Sequence, residues 1–107
     1  MRAILAIAAA TTLSGCATSA AGLAATEIDA SYSSEKSPKD WALCVAEAFQ
    51  GSNMLRDDGT NWWIIRPNSY GVPISRWDFK PTPTGSVAEL RSSIGLSDGD
   101  DKVRSCA

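Results

Sequence analysis

Thr60-Asn61-Trp62-Trp63-Ile64-Ile65-Arg66, together with Val72-Pro73-Ile74-Ser75-Arg76-Trp77-Asp78-Phe79-Lys80, decides the fold. Aromatic and β-branched side chains suit a pleated, half-buried surface, and both runs end in turn-forming residues. Thr60 to Arg66 reads as a strand that Pro67-Asn68-Ser69-Tyr70-Gly71 breaks. In the second strand, Val72 to Lys80, successive side chains alternate between faces. Ser75, Trp77 and Phe79 fall on one face, and Arg76, Asp78 and Lys80 on the other. Val72 and Ile74 are out of phase with Trp77 and Phe79, which predicts a bulge or an irregular start, and Pro73 suits a sheet edge or a strand end. Pro81-Thr82-Pro83-Thr84-Gly85 is a stiff turn. Ser86 to Ser92 then sets Ala88 and Leu90 against Val87, Glu89 and Arg91 as the third strand of an antiparallel meander.

A helix precedes these strands. Ser37 can cap it, Pro38 fits its first position and Asp40 favours the positive end of its dipole. Trp41, Cys44, Val45, Ala48 and Phe49 recur at the spacing of one buried helical face, and Gly51 is a natural stop. Asp57-Asp58-Gly59 marks a turn between helix and strand. Gly95 to Asp101 reads as a polar loop, and Lys102 to Ala107 as one helical turn beginning near Asp100. Ala17 to Lys36, rich in Ala, Ser and Thr, reads as a flexible tether, spanning about 25 Å if it behaves as a coil. The expected fold is therefore α+β: over residues 37–107, an N-terminal helix packed on a three-stranded antiparallel meander, with a short C-terminal helix.

The beginning of the chain carries a different signal. Arg2 is basic, Ala3 to Ala10 with Leu5 and Ile7 is apolar, and Thr11 to Gly15 is small, which is the layout of a secretory signal. The apolar run falls far short of the roughly 20 residues that span a bilayer. Leu13-Ser14-Gly15-Cys16 resembles the lipobox of bacterial lipoproteins. That resemblance implies a signal peptide over 1–15, cleavage before Cys16, a diacylglyceryl group on its thiol and a further acyl chain such as palmitate on the new amino terminus. Each buried methylene contributes about 0.8 kcal/mol, so several chains anchor stably where one does not. Ala17 stands where an aspartate marks retention in the inner membrane of enteric bacteria, so the expected location is the outer membrane, facing the periplasm.

With Cys16 assigned to lipid, Cys44 and Cys106 remain. Export places them in an oxidising compartment, where an even pair in a small domain reads as a disulfide. The domain also resembles a set of small bacterial lipoproteins that share a helix bearing a cysteine, here Cys44. They share too a G-S-x-x-x-x-R segment, here Gly85-Ser86 and Arg91, and a closing V-[RK]-x-C, here Val103 to Cys106. The resemblance implies the same staple and assigns no activity.

After residue 15, nine basic residues stand against twelve acidic ones, a formal charge of -3. Neither nucleic acid nor an anionic membrane surface is an expected partner for such a chain. It contains no histidine, which removes the commonest general base and metal ligand. With no spare thiol either, neither catalysis nor a cofactor is expected. Asp98, Asp100 and Asp101 lack the spacing of a calcium loop and read as a solvated acidic turn, with no metal. Arg66, Arg76, Lys80 and Arg91 can pair across strands with Asp78 and Glu89, or meet acidic head groups. Trp62 and Trp63, adjacent on one strand, must face opposite sides of the sheet, so one of them is a candidate platform for a protein or for peptidoglycan. The functional expectation is a non-catalytic, lipid-anchored envelope protein presenting a small interaction domain. The alternative is a periplasmic inhibitor or ligand-binding module using an exposed tryptophan.

Overall fold

The computed structural model describes residues 19–93 and 98–107; Cys16, with the leader before it, and residues 94–97 lie outside them. The chain forms α1 (Ala20–Ala24), β1 (Ala30–Ser34), α2 (Pro38–Ala48), β2 (Met54–Asp57), β3 (Trp62–Pro67), β4 (Pro73–Thr82), β5 (Gly85–Ser92) and α3 (Asp100–Cys106). All five strands join one antiparallel sheet in the order β1-β5-β4-β3-β2. Strands β2 to β5 follow one another as a meander, and β1 adds to the free edge of β5. Helix α2 carries the chain from that edge to β2 at the other, packing across the sheet as it goes.

This architecture corrects the expected fold. The sheet dominates the domain with five strands, not three, and the chain enters it through a helix and a strand that precede α2. The two additional strands come from residues 30–34, within the expected tether, and 54–57, in the connection that the Asp57-Asp58-Gly59 turn marks. Strand β1, Ala-Ser-Tyr-Ser-Ser, offers little apolar pattern, but its register with β5 runs unbroken from Ala30↔Leu90 to Ser34↔Ser86. Small side chains suffice there because the pairing is made by the backbone and only Tyr32 reaches far into the interior. Gly85 permits the close approach: a Cβ at that position would collide with the backbone of Ser34 and Glu35.

The two faces of the sheet differ. On the inner face, Ile64, Trp77, Phe79, Ala88 and Leu90 pack against Trp41, Val45 and Phe49 of α2 and against Val103 of α3, and form the core. Burying each of the large ones contributes about 1.5–3 kcal/mol. The Trp41 and Phe79 rings meet edge to face at 5.4 Å. Helix α2 begins as its residues dictate, with Ser37 Oγ accepting from the Asp40 amide at 3.1 Å and Pro38 in the first turn. It ends at Ala48, and Gly51 beyond it has a φ of 86°.

Helix α3 is held to α2 in two ways. The Trp41 indole donates to the Val103 carbonyl at 2.8 Å, and Cys44 and Cys106 form a disulfide, Cα to Cα 5.9 Å. The bulge expected near the start of β4 is present: pairing passes from Arg66↔Ser75 to Pro67↔Pro73 and leaves Ile74 as the extra residue.

Candidate functional site

The outer face of the sheet carries the charged members of the alternation. Arg76, Asp78 and Lys80 of β4 lie beside Glu89 and Arg91 of β5, with Trp63 of β3 next to them. Period-two alternation predicts that Arg76, Asp78 and Lys80 share a face of their strand, as Glu89 and Arg91 do of theirs; the register brings both sets together beside Trp63, on a face that is not open to water. Helix α1 lies over β4 and β5 with Leu23 fully buried, and Asp78 is only 5% exposed. Buried charge is tolerated where it is paired and hydrogen-bonded. Arg76 donates to Asp78 from Nε at 3.0 and 3.1 Å and from Nη2 at 2.8 Å, and Arg91 Nη1 approaches the same carboxylate at 3.5 Å. The guanidinium donors left over reach backbone: Arg76 Nη1 donates to the Ala20 carbonyl at 3.1 Å and Arg91 Nε to that of Thr26 at 2.9 Å. The two arginines thus tie α1 and the segment after it to the sheet. Lys80 pairs with Glu89 at 2.9 Å.

Beyond the end of α1 this face opens into a depression of about 260 Å³ lined by Ala24, Asp58, Asn61, Trp63, Arg76, Asp78, Lys80 and Arg91. Trp63 is half-buried, with the Arg76 guanidinium 4.8 Å above its ring. Asp58 and Asn61 stand in the β2–β3 turn. The Asn61 and Thr60 amides donate to the Asp58 carboxylate, in that order of influence, and hold its pKa below the ordinary aspartate value. An indole flanked by an amide, a carboxylate and an ammonium can stack the apolar face of a sugar ring or a peptide side chain while satisfying its polar edge.

The other sequence-derived candidates take varied places. Trp62 turns inward and packs, partly buried, against the core. The two tryptophans therefore divide between faces as strand geometry required, and neither protrudes. Arg66 lies on the inner side with its guanidinium 3.9 Å over the Phe49 ring and 3.8 Å from Asp98. Asp98 accepts from Ser75 Oγ at 2.6 Å, and its carbonyl accepts from the Trp77 indole at 2.7 Å. Asp100 accepts from the Tyr32 hydroxyl at 2.7 Å, and Asp101 sits 3.4 Å from Lys102. These three aspartates serve different partners, and among the described residues no group of acids or sulfurs gathers to hold a metal. The Tyr32 pKa is raised, chiefly because its hydroxyl donates to Asp100, which favours the neutral phenol.

Sequence reading missed one exposed feature. Tyr70, at the tip of the β3–β4 hairpin, is 88% exposed, yet its backbone is fixed. Asn68 Oδ1 accepts from the amides of Tyr70 at 2.8 Å and Val72 at 3.0 Å, and Gly71 takes a φ of 82°. An asparagine side chain that binds the backbone two residues on is a turn signature, and an aromatic residue inside such a turn was the available signal.

Compared with protein-family models, curated proteins and solved structures, the chain matches none. Among the described residues, no helix is long and apolar enough to cross a membrane.

Proposed function

We propose that this chain is a non-catalytic, lipid-anchored envelope protein, exported through residues 1–15 and held by acyl groups on Cys16. It faces the periplasm, from the outer membrane, and presents its folded domain to an envelope protein or to glycan. The observation that carries this reading is the Cys44–Cys106 disulfide. Such pairs persist where the compartment is oxidising, and the residues that would take the chain there end in Leu13-Ser14-Gly15-Cys16. On this reading the working surface is the outer face of the sheet around Trp63. Its buried charges are already matched by one another, and the depression beside them offers binding groups without a nucleophile and base in contact.

The test of the anchor is Cys16→Ser expressed with its own leader. Loss of acyl labelling and of membrane fractionation is expected; unchanged fractionation refutes the anchor. The depression also favours a second reading, a ligand-binding module. In that case Trp63→Ala abolishes capture of a peptidoglycan fragment equally in anchored and unanchored protein, whereas an assembly role requires the anchor as well.

A further inference from the structure

Among the described residues, five large apolar side chains are exposed: Ile28, Leu43, Met54, Tyr70 and Val72. Four of them lie at one end of the sheet. Tyr70 and Val72 belong to the turn between β3 and β4. Met54 opens β2 and pairs with Ile65, two residues before β3 ends. Ile28 precedes β1 at the level where Asp29 donates to the Leu90 carbonyl and accepts from the Ser92 amide, the closing end of β5. Singly, such residues are ordinary surface; gathered at one end and led by an aromatic on a fixed turn, they mark an interaction surface.

The chain enters the domain over the outer face of the sheet, beside Arg76. Ser19 caps α1, and the Ala20 carbonyl is bound by Arg76, which pairs with Ile65 near the foot of β3 and β4. Three peptide steps separate Cys16 from Ser19, and at 3.8 Å between successive Cα atoms they reach at most about 11 Å. The folded α1 and β1 replace a tether expected to span about 25 Å, so an acylated Cys16 holds the domain close to the bilayer, and the apolar end of the sheet is the surface suited to lie against it.

We infer that the sheet end bearing Ile28, Met54, Tyr70 and Val72 rests in the headgroup layer of the leaflet that carries the Cys16 acyl chains, with Tyr70 at the interface. This rests on the proposed lipid anchor and specifies its geometry. Tyrosine suits that layer because its ring is apolar and its hydroxyl is wet. A covalent leash and apolar contact drive the apposition, so it does not require an anionic lipid. The depression beside Trp63 extends toward the opposite end of the sheet, past Asp58, Asn61 and Lys80, and stays open to the periplasm.

The chain has two tyrosines, which makes the test direct. Acylated protein, verified by intact mass, is placed on phosphatidylcholine vesicles and iodinated by a peroxidase too large to enter the headgroup layer. Tyr70 is expected to label severalfold more slowly than in an unlipidated chain beginning at Ala17. A Gly-Ser spacer of about twelve residues between Thr18 and Ser19, reaching about 20 Å, is expected to restore its rate. Tyr32, hydrogen-bonded to Asp100, is the internal control and keeps one rate throughout. Equal labelling of Tyr70 in acylated and unlipidated protein overturns the inference and leaves the anchor standing. Protection that appears in native envelope membranes but not on lipid vesicles also overturns it, in favour of a non-lipid partner. An unmodified Cys16 removes the anchor and the inference together.

Discussion

Asp78→Ala is the most informative single change in the domain. The carboxylate is buried on the outer face, and two guanidiniums depend on it: Arg76, with contacts down to 2.8 Å, and Arg91, at 3.5 Å. Arg76 and Arg91 are direct cross-strand partners, and each side chain is 13% exposed. Removing the carboxylate leaves two like charges facing each other beneath α1, with Glu89 3.5 Å from Arg91 as the acid remaining. Breaking a buried pair from one side costs about 3–5 kcal/mol, because the orphaned charge keeps its desolvation penalty. A domain of this size has roughly 5–10 kcal/mol in all, so about half is at stake.

Urea unfolding followed by tryptophan fluorescence measures the effect, since Trp63 lies under Arg76 and reports the same face. With a slope of about 1–2 kcal/mol per molar, the midpoint falls by about 1.5–5 M. Replacing Arg76, Asp78 and Arg91 together by Met, Leu and Met leaves no unpaired charge, and is expected to restore most of the loss. A loss below about 1 kcal/mol for Asp78→Ala would show that the network is a solvated surface cluster and would refute the reasoning.

Loss of the disulfide in a Cys44→Ser, Cys106→Ser double variant frees a chain whose bridged residues are 62 apart. The chain-entropy model gives a loss of about 4 kcal/mol, measured against oxidised protein in the same urea titration, and the variant should match the reduced parent. Tyr32 should titrate above the ordinary tyrosine value near 10, because ionisation breaks its bond to Asp100. The stability from that bond is therefore fully present below about pH 10 and is lost as pH rises through the elevated folded pKa. Ultraviolet titration of a Tyr70→Phe background reads Tyr32 alone, and Asp100→Asn should bring its pKa down. Gly85→Ala should destabilise the domain and release β1, because the new Cβ meets the backbone of Ser34 and Glu35; faster amide exchange over residues 30–34 checks it.

The legible parts of this fold are those whose signal is local and strong. Strands β3, β4 and β5 declare themselves through aromatic and β-branched runs and correct alternation, and α2 through a cap, a proline and an apolar stripe. Strand β1 stayed hidden because an edge strand of Ala, Ser and Tyr shows almost no period-two hydrophobicity; its pairing with β5 is a backbone matter that composition does not encode. Met54 to Asp57 runs directly into the Asp57-Asp58-Gly59 turn signal, which hides so short a strand. Helix α1 has one large apolar residue, Leu23, and its place was decided by arginines on distant strands. At the candidate site, alternation puts Arg76, Asp78 and Lys80 on one face of their strand and Glu89 and Arg91 on one face of theirs, and sets Trp62 and Trp63 on opposite sides without saying which of them joins the charges. That the face is covered, and its charges buried, depended on α1 and was not local information. Tyr70 is hidden in sequence because Pro67 to Gly71 signals a strand break and says nothing of which side chain the turn exposes.

Export and acylation at Cys16 underlie the functional account, and the intact mass of the mature protein, purified from its native membranes, tests both at once. The account predicts a chain beginning at Cys16 that is heavier than its residues by a diacylglyceryl group and an amide-linked acyl chain, and lighter by the two hydrogens of one disulfide. A chain that still begins at Met1, with three free thiols and no added lipid, would contradict it.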